Sequence, residues 1–147
     1  AWDNMIAEGP NAIVHDGTIY LIYSGSLVGI DYTTGLVTAP AGQDADLTNP
    51  NVWTKLDYPL QKSGVYNGQW QLGTGHGMWS NDEDGNLIYV FHNAEYENGR
   101  YGGRDAQVRR VHWSKEGMPI LDMQAAEELN PDYADITMKI VVSGNKG

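Results

Sequence analysis

Hydrophobic positions along this chain come in short bursts of β-formers, separated by turns rich in Gly, Asn and Asp. "HDGTIYLIYSG" (15–25) sets a Gly-containing turn ahead of a run of β-formers, and "EDGNLIYVFHN" (83–93) repeats the arrangement at an offset of 68 residues. Each reads as a hairpin tip feeding a buried strand. A second pair of anchors follows in the same order: "VWTKLDYPLQ" (52–61) and "HWSKEGMPIL" (112–121), offset by 60 residues. They share Trp-[Thr/Ser]-Lys-x-x-x-Pro-[Leu/Ile]. Further strands are predicted at "GLVTAP" (35–40) and "DAQVRRVHW" (105–113), with polar excursions at 41–51 and 94–104. Four short antiparallel strands in each of two similar units is the pattern of β-propeller blades.

The fold expected is therefore all-β, part of a propeller. Residues 1–63 form one four-stranded blade and 64–124 a second. Residues 125–147 carry a short helical turn at "AAEELN" (125–130) and a C-terminal strand at "ADITMKIVV" (134–142). Two blades do not close a ring, since propellers use about four or more, and open blades expose unpaired flanks. The expected partner is a second chain that completes the propeller, or further copies of this one.

Composition agrees with a β-rich domain. The 147 residues include nine Tyr, five Trp and one Phe, and the 18 Gly imply many turns. Tyr and Trp bury a large ring while keeping a polar tip, which suits half-buried strands and carbohydrate-facing surfaces. The net charge of −10 argues against a phosphate-backbone partner, so no nucleic acid is expected. No membrane association is expected either, since no apolar run reaches the ~18 residues a spanning helix needs. Cys is absent, which removes thiol catalysis and thiolate metal sites and leaves the compartment, secreted or cytoplasmic, undetermined.

The offset of 68 makes Glu8 in "IAEGP" equivalent to His76 in "GTGHG", each ahead of its blade's outgoing turn. Equivalent positions on innermost strands face one axis, so a carboxyl and an imidazole are brought toward one site. His76 has glycines on both sides, which permit close approach of backbone and ligand. His15, His92 and His112 read as structural histidines. Trp2, Trp70 and Trp79 are candidates to stack on a ligand ring, whereas Trp53 and Trp113 read as blade core. Arg109 and Arg110 are neighbours in a strand, so at most one faces inward. "DEDG" (82–85) reads as a hairpin turn rather than a calcium loop.

"EGP" followed by "DGTIYLIYSGS", then "NPNVWTKLDYPL", "GTGHGMWSNDEDGN" and "GGRDAQVRRVHWSKEGMPIL", resembles glycoside hydrolase family 43 in order, over nearly all of residues 6–122. The resemblance implies a five-bladed propeller and inverting hydrolysis of arabinose- or xylose-containing saccharides. The arabinofuranosidases are the nearer match within the family, and the β-xylosidases the alternative. It further implies that Glu8 is the general acid, that His76 stands beside an axial metal, usually calcium, and that Arg104 in "GGRD" binds sugar hydroxyls. Trp2 and Trp79 are the other substrate-binding candidates. The family's general-base aspartate lies on blades before the acid, and no aspartate here matches its motif. The chain alone is expected to be inactive, or to be completed by the missing N-terminal propeller half as a second chain. The rival reading is a non-catalytic, carbohydrate-binding or structural half-propeller.

Overall fold

A computed structural model describes residues 2–144. Its first sheet contains β1 (Ala7–His15), β2 (Thr18–Gly25), β3 (Thr33–Pro40) and β4 (Thr54–Lys55), antiparallel in sequence order. The second contains β5 (Gly64–Tyr66), β6 (Gln69–Asn81), β7 (Leu87–Glu97) and β8 (Arg100–Arg110), followed by a two-stranded hairpin of β9 (His112–Trp113) and β10 (Pro119–Ile120). The turns explain much of this register. Asp16-Gly17, Asn67-Gly68 and Asn98-Gly99 all have positive φ at both residues. That is the geometry of the tight hairpin turn whose twist matches the flanking strands, and Asn-Gly and Asp-Gly are its preferred sequences.

The third of these turns corrects the reading of 94–104 as a polar excursion. β7 runs on to Glu97 and β8 starts at Arg100, with Glu97 paired to Arg100 across the turn. Polar side chains concealed a long hairpin that its Asn98-Gly99 step marks. The "DEDG" turn is a hairpin turn as expected. Asp82 accepts hydrogen bonds from the backbone N–H groups of Asp84 and Asn86.

The two sheets share one core. Tyr20, Ile22 and Leu36 from the first sheet pack with Trp79, Tyr89 and Phe91 from the second, and Val111 and Leu121 complete the cluster. Burying each such side chain contributes about 1.5–3 kcal/mol. Polar links cross the same seam. The Thr34 and Tyr89 hydroxyls lie 2.7 Å apart, and Trp79 N–H donates to Asn11 Oδ1 at 2.9 Å. Residues 11 and 79 are themselves 68 apart, so the repeat's offset is built into a direct bond between its two copies.

Two other expectations change. Trp113, half-buried, packs against the core, stacked 3.8 Å from His15 and edge-on to Tyr20, whereas the equally half-buried Trp53 donates to its own loop at Leu47 O. Residues 134–142 form no strand, although a 3₁₀ turn does occupy Ala125–Glu127. β-propensity needs a ladder to become a strand, and this segment is held otherwise. Arg110 donates to the carbonyls of Tyr133 and Asp135, and Glu83 N–H donates to Thr137 O.

Candidate functional site

Both inner strands break register where the candidate residues stand. β1 bulges between Glu8 and Asn11, and β6 shifts register between Gly75 and Met78, around His76. A β-bulge bends the strand and re-aims its side chains, and bulges concentrate beside active sites. His76 also has φ 48°, a left-handed conformation that a non-glycine residue adopts at a cost of about 1–3 kcal/mol. Its N–H is held by Ser24 Oγ at 2.7 Å, which fixes the strained residue from the neighbouring blade.

The glycines around these residues make room for rings. A Cβ on Gly9 would stand 3.3 Å from the His76 imidazole, and Gly9 itself has φ +60°. A Cβ on Gly75 would lie 2.6 Å from the Tyr32 ring, and one on Gly77 would lie 2.1 Å from Tyr89. The "GTGHG" glycines thus admit two buried tyrosines, which places the His76 strand close against the first blade.

Tyr32 is the residue that sequence reasoning missed. It has no exposed surface, and its hydroxyl donates to Glu8 Oε1 at 2.7 Å while lying 3.3 Å from His76 Nδ1. Glu8 Oε1 and His76 Nδ1 are 3.9 Å apart, with both side chains about half exposed. Burial pushes the Tyr32 phenol up to about 12, and its bond to Glu8 and the charge there act in the same direction. It therefore remains a proton-bearing donor and orients the carboxylate. One signal was available: "DYTTG" has an isolated Tyr beside a strand start.

His92 is the second omission. Its ring stacks on Tyr32 at 5.6 Å and it lines the pocket beside Glu8, whereas the sequence reads it as a structural histidine. Burial lowers its imidazole to about 4, and the positive charges of Arg104 and His76 add to the effect. His92 is thus neutral near pH 7. The offset of 68 pairs it with Ser24, so the two blades place different chemistry at one repeat position.

These residues border an open pocket of about 530 Å³, lined by Gly9, Asn11, His76, His92, Arg104 and Asp105. Glu8 stands next to that lining through Gly9 and its contacts with His76. Arg104 reaches the pocket from β8, and its Nε donates to the Tyr101 hydroxyl at 2.5 Å.

Trp79 is not available to a sugar. It is 7% exposed, its ring packs beside Tyr89 and its Nε1 donates to Tyr20 O. Burial alternates along β6 from Gly75 to Trp79, so Trp79 faces the core while His76 faces out. Trp2 lies against Tyr23 with Lys55 Nζ 5.5 Å from its ring, and Asp3 beside it bonds both neighbours. It does not line the pocket, nor does Trp70, which is exposed at the start of β6. Arg109 and Arg110 do face opposite ways, but both are buried: Arg109 bonds Gln71 and Leu121 O, and Arg110 bonds Asp82.

Calcium takes about 6–8 oxygen ligands. Among the described residues no group of three or more His, Asp or Glu side chains is arranged to hold a metal ion. His76 brings one imidazole, and the Glu8 oxygen beside it is engaged by Tyr32. These residues do not by themselves fit a calcium site.

Comparison with known proteins agrees with this architecture. Residues 1–119 match the model for glycosyl hydrolases family 43. The chain is 31% identical to an extracellular exo-α-(1→5)-L-arabinofuranosidase of Streptomyces avermitilis over 89% of its own length and 28% of the relative's. It is 35% identical to the α-L-arabinofuranosidase 43 of Humicola insolens, over 81% of this chain and 26% of that protein. A crystal structure of an α-L-arabinofuranosidase from Lactobacillus brevis superposes with a TM-score of 0.71 at 29% identity, covering 81% of this chain and 38% of that one. The chain thus spans little more than a quarter of the length of these curated relatives. Over that span the two sheets are part of the propeller type that the family shares. The chain belongs to glycosyl hydrolases family 43.

Proposed function

We propose that this chain supplies the acid-bearing part of an inverting arabinofuranosidase, with Glu8 as proton donor to the departing glycosidic oxygen. The observation that carries the reading is the Glu8 carboxyl, held by the Tyr32 hydroxyl at 2.7 Å beside a pocket that also presents His76 and Arg104. A carboxyl in a fixed direction at the wall of a sugar-sized pocket is what general-acid catalysis requires. Arg104 carries a permanent cation and a fork of donors, which suits sugar hydroxyls. The names of the relatives support arabinofuranosyl linkages as the substrate.

Inversion needs a second carboxylate about 6.5–9.5 Å from the acid, to activate water on the opposite face of the sugar. In this reading that base comes from the remaining blades, in the same polypeptide or in a partner chain. His76 lines the pocket that Glu8 borders.

The test is to express a reading frame that supplies the remaining blades and follow α-1,5-arabino-oligosaccharide hydrolysis by proton NMR. The β-anomer of arabinose should appear first, and residues 1–147 alone should release none. First appearance of the α-anomer would sink the inverting assignment.

A further inference from the structure

A second, smaller cavity lies at the seam between the sheets, away from the Glu8 pocket. It measures about 40 Å³ and is lined by Gln61, Tyr66, Gln71, Thr74, Arg109 and Asp122, among others. Gln61 is 6% exposed, Thr74 1% and Arg109 4%. Four of their side-chain atoms have no hydrogen-bond partner among the described residues: Gln61 Nε2, Gln61 Oε1, Thr74 Oγ1 and Arg109 Nε. Buried polar atoms are satisfied in the great majority of cases, so four around one small space call for an occupant.

The rest of the cluster is well held, which makes the orphans conspicuous. Arg109 donates to Leu121 O and to Gln71 Oε1, and its guanidinium lies 3.5 Å over the Tyr66 ring. The Gln61 backbone exchanges hydrogen bonds with Thr34, tying the linker between the sheets to β3.

We infer that this cavity is an internal hydration site, in which ordered water joins Gln61, Thr74 and Arg109 Nε. The donor and acceptor census selects water. Arg109 Nε and Gln61 Nε2 only donate, Gln61 Oε1 only accepts and Thr74 Oγ1 does either, and water serves both kinds of partner. A small anion such as chloride meets the donors but faces Gln61 Oε1 and the Asp122 carboxylate. An apolar occupant satisfies none of the four. The volume is right for one or two waters, each needing two to four polar partners. Such water pins the linker to β6 two residues before His76, and so stiffens the strand that carries His76 from beneath.

Two measurements on this chain test the site. In water-selective NMR, long-lived cross-peaks are expected from water to the Gln61 side-chain amide, the Thr74 N–H and Arg109 Nε–H. Their absence would overturn the proposal. In urea unfolding, Gln61→Leu should raise the unfolded-to-folded ratio about tenfold, because it leaves Arg109 Nε and Thr74 Oγ1 without their bridge. If the cavity is dry, removing an unsatisfied amide stabilises the protein, and a higher midpoint for Gln61→Leu would contradict the assignment. A midpoint that depends on chloride at constant ionic strength, and loses that dependence in Gln61→Leu, would replace water with an anion. Should Gln61→Leu fail to fold, the NMR experiment on the unaltered chain still decides.

Discussion

The inner strands β1 and β6 are copies of one device put to different uses. Each leads toward a tight turn, each bulges, and the bulged positions, Glu8 and His76, converge to 3.9 Å. Their surroundings differ. Glu8 is oriented by a phenol from its own blade, whereas His76 is held in a strained conformation by Ser24 from the other blade. The repeat thus provides the backbone geometry and the convergence. The chemistry comes from what is not repeated: Glu8 against His76 and Ser24 against His92.

The largest expected effect is on the acid. In an enzyme supplied with the remaining blades, Glu8→Gln should lower turnover of arabino-oligosaccharides by about 10²–10⁴-fold, the usual worth of a general acid, as read by arabinose release. His76→Gln should cost less, because it removes no proton donor, and equal losses would break the distinction between the strands.

The paired glycines give the next effect. Gly77→Ala drives a Cβ into the Tyr89 ring and should destabilise by about 3 kcal/mol in urea unfolding. Gly9→Ala meets only the edge of a half-exposed imidazole but must hold φ +60°, so about 1–2 kcal/mol is expected. The reverse order would show that the His76 ring, not Tyr89, is the rigid wall.

Tyr32→Phe keeps the buried ring and removes the hydroxyl that orients Glu8. Oligosaccharide turnover should fall about 3–10-fold, the loss of one hydrogen bond, with circular dichroism unchanged.

The smallest effect is a pH slope. The His92 imidazole is lowered from 6.5 to about 4 in the fold, chiefly by burial. Between these values the unfolded chain binds the proton that the folded chain refuses, so stability is full above pH 6.5 and falls as pH drops toward 4. His92→Gln should flatten urea midpoints over that window. Ser24→Ala, at the equivalent position, should lower them at every pH without changing the slope.

Much of this was legible in the sequence because repeats and turn dipeptides are local signals. The Gly-containing turns, the offset of 68 and the pairing of Glu8 with His76 all follow from spacing. Tyr32 and His92 did not follow, because their role depends on which strands from different blades pack together, a long-range fact. Trp79 misled for the same reason. Aromatic type marks it equally for a sugar platform or a core, and which face of β6 packs against the first sheet decides which. The segment 134–142 has strand-like residues, but a strand needs a partner edge, and here Asp135 O accepts from Arg110 and Thr137 O from the Glu83 N–H instead.

The central claim is that Glu8 gives its proton to the leaving oxygen, and leaving-group dependence tests it most directly. Wild type and Glu8→Gln, each with the remaining blades supplied, should be compared on an arabino-oligosaccharide and on an aryl arabinofuranoside whose phenol departs without protonation. Glu8→Gln should lose the oligosaccharide activity while keeping most of its turnover of the activated aryl substrate. Equal loss on both substrates, or full retention on the oligosaccharide, would contradict the account.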